Sequence, residues 1–470
     1  MNTKVKVSFQ LIILFFLFHF HLSAQKVDSI IPYNSPHLKA TLTTTITNIS
    51  LNRVNRYVLP SGREWADVNW ASWKKNLKQA PQWDWDLFTT NWFAHPYAGS
   101  MYYSSARSVG LSYWQSAAYT VGGTAMWEYF GEVLPPSLND FFTNILGGFH
   151  LGEVIHRLSE NILDDRTNGK KRRQKEILNF LVNPIGEANR LMFGLTNDHH
   201  LHRNHIHRNL EMKISLMGLQ ILNTNVTPDQ RLLPIIELDI IYGNLEDKEI
   251  TISPFDIFWF EGWIRFDKHN DKNENAFPLP YWNMRSTAIL HGKRKVIEKR
   301  TIIYGLFQDY DYIKTHNYEL GSLGFSGGWL LTKATNDIFS NLKMNLGVIA
   351  LGATDSEAID LIKPRDPDAF RDYTMGSGYF IKMHFDISSK KYGSVKLNYD
   401  HWMMWTLSGP KGKERVHFTD IQYSFPISQR IELGMAHNLY VRKGLYSFAE
   451  ENIAEKNKSS ELKFILSYSL

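Results

Sequence analysis

Glu128 and Glu132 stand four residues apart, the spacing that brings two side chains onto one face of a helix. Like charges so placed repel unless a proton, an arginine or a metal ion intervenes. The pair is therefore a candidate for shared-proton general-acid chemistry or for binding a divalent cation. Asn139, Asp140 and Asn144 open the next helical stretch and supply further oxygen ligands if the turn folds back. Catalytic candidates are Glu128, Glu132 and Asp140; the same three are the candidate metal ligands, and Asn139 and Asn144 are candidate binding residues. The plainer alternative puts Glu132 past the helix end in water and pairs Glu128 with Arg107.

Other polar groups also carry two readings. Ser137-Leu138-Asn139-Asp140 has the form of a capping box, which would employ Asp140 on free backbone N–H groups. Gly147 and Gly148 leave room for a second helix or a ligand to approach. His95 precedes Pro96, whose ring favours an extended geometry that aims the imidazole toward a cleft with Arg107, as a general base or as a buried structural histidine. Glu153-x-x-His156 has the spacing of a carboxylate-bridged dimetal bundle, but no second such motif accompanies it and Arg157 lies four residues on, which favours an ion pair. Arg107 and Glu153 complete the binding candidates. His199, His200, His202, His205 and His207 offer imidazoles for zinc or pH sensing, or a polar junction with Arg203 and Arg208. No phosphate loop, nucleophile elbow, His-Glu-x-x-His motif or dinucleotide fingerprint occurs in a supporting context, so common soluble enzyme classes lose weight.

The elements that position these residues are helical. Helical spacing runs from Val109 to Phe130 and from Leu138 to Leu163, and Leu134-Pro135-Pro136-Ser137 separates the two, predicting a pair of antiparallel helices. A third, from about Arg173 to Phe193, is broken at Pro184 and Gly186. Ser112, Ser116, Thr120 and Thr124 make the first helix too polar to stop in an inner membrane during export. Residues 25–69 read as an irregular periplasmic lead-in. Before them, Lys4, Lys6, the apolar Leu11–Phe18 and Leu22-Ser23-Ala24 have the form of a signal peptide over residues 1–24.

From about Leu210 the period changes to two. Tyr379, Ile381, Met383, Phe385 and Ile387 alternate with Phe380, Lys382, His384, Asp386 and Ser388, and Ile431, Leu433 and Met435 repeat the pattern. Segments near 210–222, 232–244, 252–267, 281–292, 299–309, 318–332, 342–353, 376–388, 393–407, 414–426, 430–444 and 461–470 make about twelve strands, an even number. Many are long enough to cross a bilayer at a tilt. The last strand ends in alternating Phe464, Leu466, Tyr468 and Leu470, similar to the terminal signal of outer-membrane barrels. Hydrophobic residues at 43% and aromatics at 14% accompany a mean hydropathy of only −0.31, which excludes a polytopic helical membrane protein and permits a barrel. The net charge of +5 falls to +3 without Lys4 and Lys6, too little for nucleic-acid binding. The absence of cysteine excludes disulfides, thiolate metal sites and a lipidated amino terminus.

One block is distinctive: Asn91-Trp-Phe-Ala-His95-Pro96-Tyr97-Ala-Gly99-Ser100, Tyr103, Ala106-Arg107-Ser108 and Gly110-Leu-Ser-Tyr-Trp114. Trp127-Glu128-Tyr129-Phe130-Gly131-Glu132, Pro136-Ser137-Leu-Asn139-Asp140, Gly147-Gly148 and Gly152-Glu153 continue it. Over about residues 70–200 the chain resembles the bacterial family of domain of unknown function 3943, which implies envelope proteins without an assigned activity. The resulting expectation is an α+β chain: a helical plug or cap (70–200), then an antiparallel transmembrane β-barrel of about twelve strands (210–470) in the outer membrane of a Gram-negative bacterium. Outer-membrane lipid and, during biogenesis, the barrel-assembly machinery are its expected partners. The first function class is a plugged barrel that binds or moves a small envelope solute. The alternative is a lipid- or glycan-modifying hydrolase using the Glu/Asn/Asp helix pair, with a divalent cation as a candidate cofactor.

Overall fold

The computed structural model describes residues 34–59, 64–164, 167–194, 209–224, 232–247, 250–267, 279–315, 318–335, 337–356, 358–359, 371–448 and 451–470. The leader and the His199–His207 cluster lie outside them. The chain forms two compact units, one reaching Asp84 and resuming over Ala94–His207, the other combining Trp85–Phe93 with Arg208–Leu470.

The helical unit begins with α1 (Pro36–Tyr57), where an irregular lead-in was expected. Its five threonines are poor helix formers, and its apolar row, Leu38, Leu42, Ile46 and Ile49, is exposed. Tertiary hydrogen bonds hold it instead. Its buried face is Ala40, Thr43, Thr44, Thr47, Asn48 and Asn52. Asn52 Nδ2 donates to the carbonyls of Ala66 (3.0 Å) and Gly131 (2.8 Å), Asn48 accepts from the Tyr102 hydroxyl (3.1 Å), and Thr43 donates to Asn189 (2.6 Å). Next come α2 (Trp70–Asn76), α3 (His95–Arg107) and α4 (Tyr113–Met126), the last started by a reciprocal cap between Ser112 and Gln115. After α5 (Leu138–Phe142) and α6 (Gly148–Ile162), the third expected helix is split at Asn183 into α7 (Gly169–Val182) and α8 (Pro184–Met192). Wide π-turns at Trp127–Gly131 and Thr143–Gly147 interrupt the two helices expected to run unbroken. No helix among the described residues is long and apolar enough to cross a membrane.

The main partner of α6 is α3, a helix the hydrophobic pattern did not reveal. They cross at Gly99 and Gly148, where a Cβ on Gly148 would sit 2.6 Å from the Gly99 backbone and one on Gly99 would strike the Asn144 carbonyl. The bare glycines thus admit a helix, the first of their two expected uses.

The second unit is a closed ring of twelve antiparallel strands. In chain order they are β1 (Leu210–Thr224), β2 (Leu233–Tyr242), β3 (Phe258–Asp267), β4 (Leu279–Ile297), β5 (Arg300–Lys314) and β6 (Glu319–Ala334). They continue as β7 (Ile338–Asp355), β8 (Tyr373–Ser389), β9 (Gly393–Ser408), β10 (Lys411–Pro426), β11 (Ile431–Phe448) and β12 (Glu451–Ser469). Each strand pairs with its neighbour in sequence, and β1 closes on β12 from Lys213↔Ser469 onward. A two-residue strand, Thr251–Ile252, extends the β3 side of β4. Lengths of ten to nineteen residues suffice for a tilted crossing.

Alternation is as the sequence predicts: Tyr379, Met383, Phe385, Leu433 and Met435 are exposed, whereas Phe380, Lys382 and Asp400 are buried inside. Residues 85–93 belong to this unit and meet its outward side. Tyr310 and Tyr312 alternate with the inward Asp309 and Asp311, and Gly321 lies opposite Tyr312. Phe88 stacks on Tyr312 (5.8 Å) and meets Tyr373 edge-on (5.2 Å). Trp92 fills the space left by Gly321, its carbonyl accepting from the Tyr310 hydroxyl, while Asn91 donates to the Tyr373 hydroxyl (2.7 Å). This stretch clasps the outside of the wall.

Gly148→Ala is expected to lower the unfolding free energy of the helical unit by about 1–3 kcal/mol through overpacking, read as a shift in the urea midpoint followed by helical circular dichroism. Gly122→Ala, at a position open to solvent-sized space, serves as control and should leave that midpoint unchanged or slightly raised.

Candidate functional site

In the helical unit α3, α5 and the following π-turn bring His95, Asn139, Asp140 and Asn144 together. His95 Nε2 lies 3.2 Å from Asp140 Oδ2, and its Nδ1 lies 3.3 Å from Asn144 Nδ2. With Nε2 protonated, the imidazole donates to Asp140 and accepts from Asn144, which selects one tautomer. Asn139 donates to Asp140 Oδ1 (3.0 Å) and to Asp84 Oδ1 (2.6 Å), and accepts from the Asp84 N–H (3.1 Å). The Asp140 N–H donates to Ser137 Oγ (3.2 Å), so the serine half of the expected capping box forms, whereas the Ser137 N–H is taken by Glu128 and the Asp140 carboxylate meets His95 and Asn139.

Glu128 and Glu132 are arranged otherwise than expected. The π-turn widens the backbone between them, and Glu132 leaves the helix with φ −143 and ψ 162, breaking the one-turn stack. Glu132 is buried, not in water. Glu128 Oε2 accepts the Ser137 N–H (2.7 Å), tying the end of one helix to the start of the next. Burial pushes the Tyr102 phenol up, and both carboxylates add to the effect. Among the described residues Glu128, Glu132 and Asp140 do not converge as a set of three cation ligands.

Arg107 pairs with Glu153, not with Glu128. Glu153 accepts from Arg107 Nε (2.9 Å), Arg157 Nε (2.8 Å) and the Tyr103 hydroxyl (2.5 Å), all buried. Desolvation acts to raise the Glu153 carboxyl, but Arg107 and Arg157 outweigh it and hold the group far below the usual carboxylate range. This is an ion-pair core joining α3 to α6. Desolvation lowers the neighbouring His156 imidazole to about 4, and Arg107 adds to that against the opposing Glu153 and Glu160.

The barrel lumen holds a second constellation that sequence reading left unassigned. Lys382 Nζ donates to Asp309 Oδ1 (3.1 Å) and Asp311 Oδ1 (3.0 Å), and Thr287 and Ser326 donate to Asp309 at 2.8 and 2.7 Å. Asp400 takes Arg285 on one side and His384 Nε2 (2.9 Å) on the other. Every member sits at an inward strand position. That parity, polar residues recurring on the inner face of adjacent strands, was the available signal. Toward one mouth, marked by Lys213, Phe339, Ser394 and Glu432 near strand ends, the network borders a chamber of about 330 Å³. Toward the other lies an apolar layer in which Tyr318 stacks on Tyr440 (3.9 Å) beside Phe380, Trp402, Met404 and Phe418.

Residues 80–185 match the family model DUF3943, a domain of unknown function. The match is narrower at both ends than the resemblance over 70–200, and it contains His95, Asn139, Asp140, Asn144 and Glu153 together with the 85–93 clasp. No curated protein matches the chain. Among solved structures it is similar to the Pseudomonas putida toluene transporter TodX, at 9% identity and a TM-score of 0.22, over 55% of this chain and 88% of that one. The outer membrane channel DcaP of Acinetobacter baumannii follows at 7% and 0.23, over 56% and 96%. The Salmonella typhi outer membrane phospholipase OMPLA stands at 9% and 0.27, over 55% and 90%. Likeness this low carries no argument about activity; the barrel assignment rests on the closed strand pairing.

The unfolded chain protonates His156 near pH 6.5 and the folded chain only near 4, so the unfolded state binds the extra proton between them. Stability is therefore full above about pH 6.5 and falls as pH drops toward 4, by on the order of 3 kcal/mol. Urea midpoints of the helical signal at about pH 7.5 and 4.5 should differ accordingly, and His156→Gln should flatten the difference. Glu153, held far lower in the folded chain, adds to the loss only at the acid end of that window, where the unfolded chain begins to protonate it near pH 4.5.

Proposed function

We propose that the protein is an outer-membrane barrel that takes up a small polar solute from one mouth into a luminal chamber and restrains its passage with the aromatic layer beyond. The observation that carries this reading is the chamber of about 330 Å³, within the range of small-molecule sites, bordered by a paired ionic network, with the layer of Tyr318, Tyr440 and Trp402 lying beyond that network toward the other mouth. An outward surface of exposed Leu346, Val348, Leu433, Met435, Phe464 and Leu466 supports a lipid environment, since apolar rows of this extent are unfavourable in water. Export through the leader over residues 1–24 and insertion by the barrel-assembly machinery follow from the same reading. The helical unit then serves as an envelope domain whose His95–Asp140 cluster is structural.

In planar bilayers the wild-type protein is expected to conduct weakly, and Tyr318→Ala combined with Tyr440→Ala to conduct several-fold more. Liposome swelling with small polar solutes should change in parallel. If removal of both rings leaves a non-conducting protein that retains its heat-modifiable mobility in electrophoresis, the barrel is not a solute path. Outer-membrane lipid profiles that change on deletion of the protein, and are not restored by His95→Ala, would favour the hydrolase alternative.

A further inference from the structure

The chamber carries charges of both signs that have no ion-pair partner among the described residues. Lys343 projects inward from β7, is 7% exposed, and lines the chamber. Its ammonium sits over the Trp259 ring at 4.6 Å, and no carboxylate lies within ion-pair distance among the described residues. A buried ammonium without a counter-ion is costly, and a cation–π contact recovers only a small part of that cost. Beside it, the Asn341 Oδ1 atom is buried without a hydrogen-bond partner. Asp239 and Glu261 also line the chamber, and with Glu237 they bring three carboxylate oxygens within 4.8 Å of one another. None of the three has a cation within ion-pair distance among the described residues. Lys396 borders both this cluster and the chamber, and Lys463 borders the cluster from an adjoining cavity of about 50 Å³.

We infer that the chamber is a binding site for a small zwitterion, with its carboxylate at Lys343 and Asn341 and its ammonium among Glu237, Asp239 and Glu261. An ammonium offers three N–H donors, which suits three acceptors converging from adjacent strands. A carboxylate at Lys343 supplies the missing counter-charge and accepts from the Asn341 amide after a turn about its last bond. A solute of one sign would compensate one end and leave the other unpaired, so the two ends together select for opposite charges on one molecule. This inference rests on the proposed solute-admitting barrel and specifies what it admits.

The test is calorimetric titration of the full-length protein in detergent with alanine and 4-aminobutyrate, against the single-charge controls propionate, propylamine and calcium chloride. At least one zwitterion is expected to bind roughly tenfold or more tightly than every control, and Lys343→Met and Glu261→Gln each to remove that margin. Propionate, propylamine or calcium binding as tightly as the zwitterions would overturn the inference, and needs no variant to fold. Absence of zwitterion binding in a protein whose Tyr318→Ala, Tyr440→Ala form conducts would overturn the zwitterion site alone. Absence of both binding and conduction would remove the solute-barrel reading with it.

Discussion

Closure of the twelve-stranded ring is the constraint on which the barrel unit depends. Antiparallel pairing of β1 with β12 leaves no open edge to the ring, so the backbone donors and acceptors of the wall pair between strands, apart from a few bulges. Closure also gives each strand one inside and one outside. Successive residues then face lipid-like and lumen environments in turn, and a single residue of slip would invert every position. The ionic side chains of β4, β5, β8 and β9 are tolerable only because this register directs them to one another. Removing one partner of such a pair leaves an uncompensated buried charge, which is why these networks specify an arrangement more than they stabilise it.

The helical unit solves a similar problem by different means. Its interior is rich in Thr, Asn, Ser, Glu and Arg, and the helices are joined by hydrogen bonds to carbonyls that π-turns and helix ends leave free. Glu128 bonding Ser137, Asn52 reaching Gly131 and Glu153 held between two arginines are three cases of one principle. In each, a buried polar or charged group is matched by a partner on another segment, and removing that partner would leave it uncompensated.

The lumen is asymmetric. One part is apolar and aromatic, filled by rings from several strands, and the other is ionic and hollow. In the proposed solute path such a division would separate selection from restraint, with charges deciding what enters and stacked rings resisting its passage. The clasp at residues 85–93 adds an external brace, burying Phe88 and Trp92 on outward tyrosines.

Much of this was legible in the chain alone. Period-two alternation placed all twelve strands, because inside and outside impose opposite chemistry on neighbouring residues and so write themselves into the order. The break at Pro184 and the Glu153–Arg157 pair were equally local, set by ring geometry and helical spacing. What tertiary structure alone decided were relations with no local period. Helix α1 is bound through polar contacts, while its apolar row is exposed. Glu132 leaves its helix because a π-turn intervenes, so the four-residue spacing lost its meaning. Arg107 found Glu153, 46 positions away in sequence. The luminal charges looked like an ordinary polar face until ring closure turned that face inward and set Asp309, Lys382 and Asp400 against one another, since only a closed sheet makes distant strands share one interior.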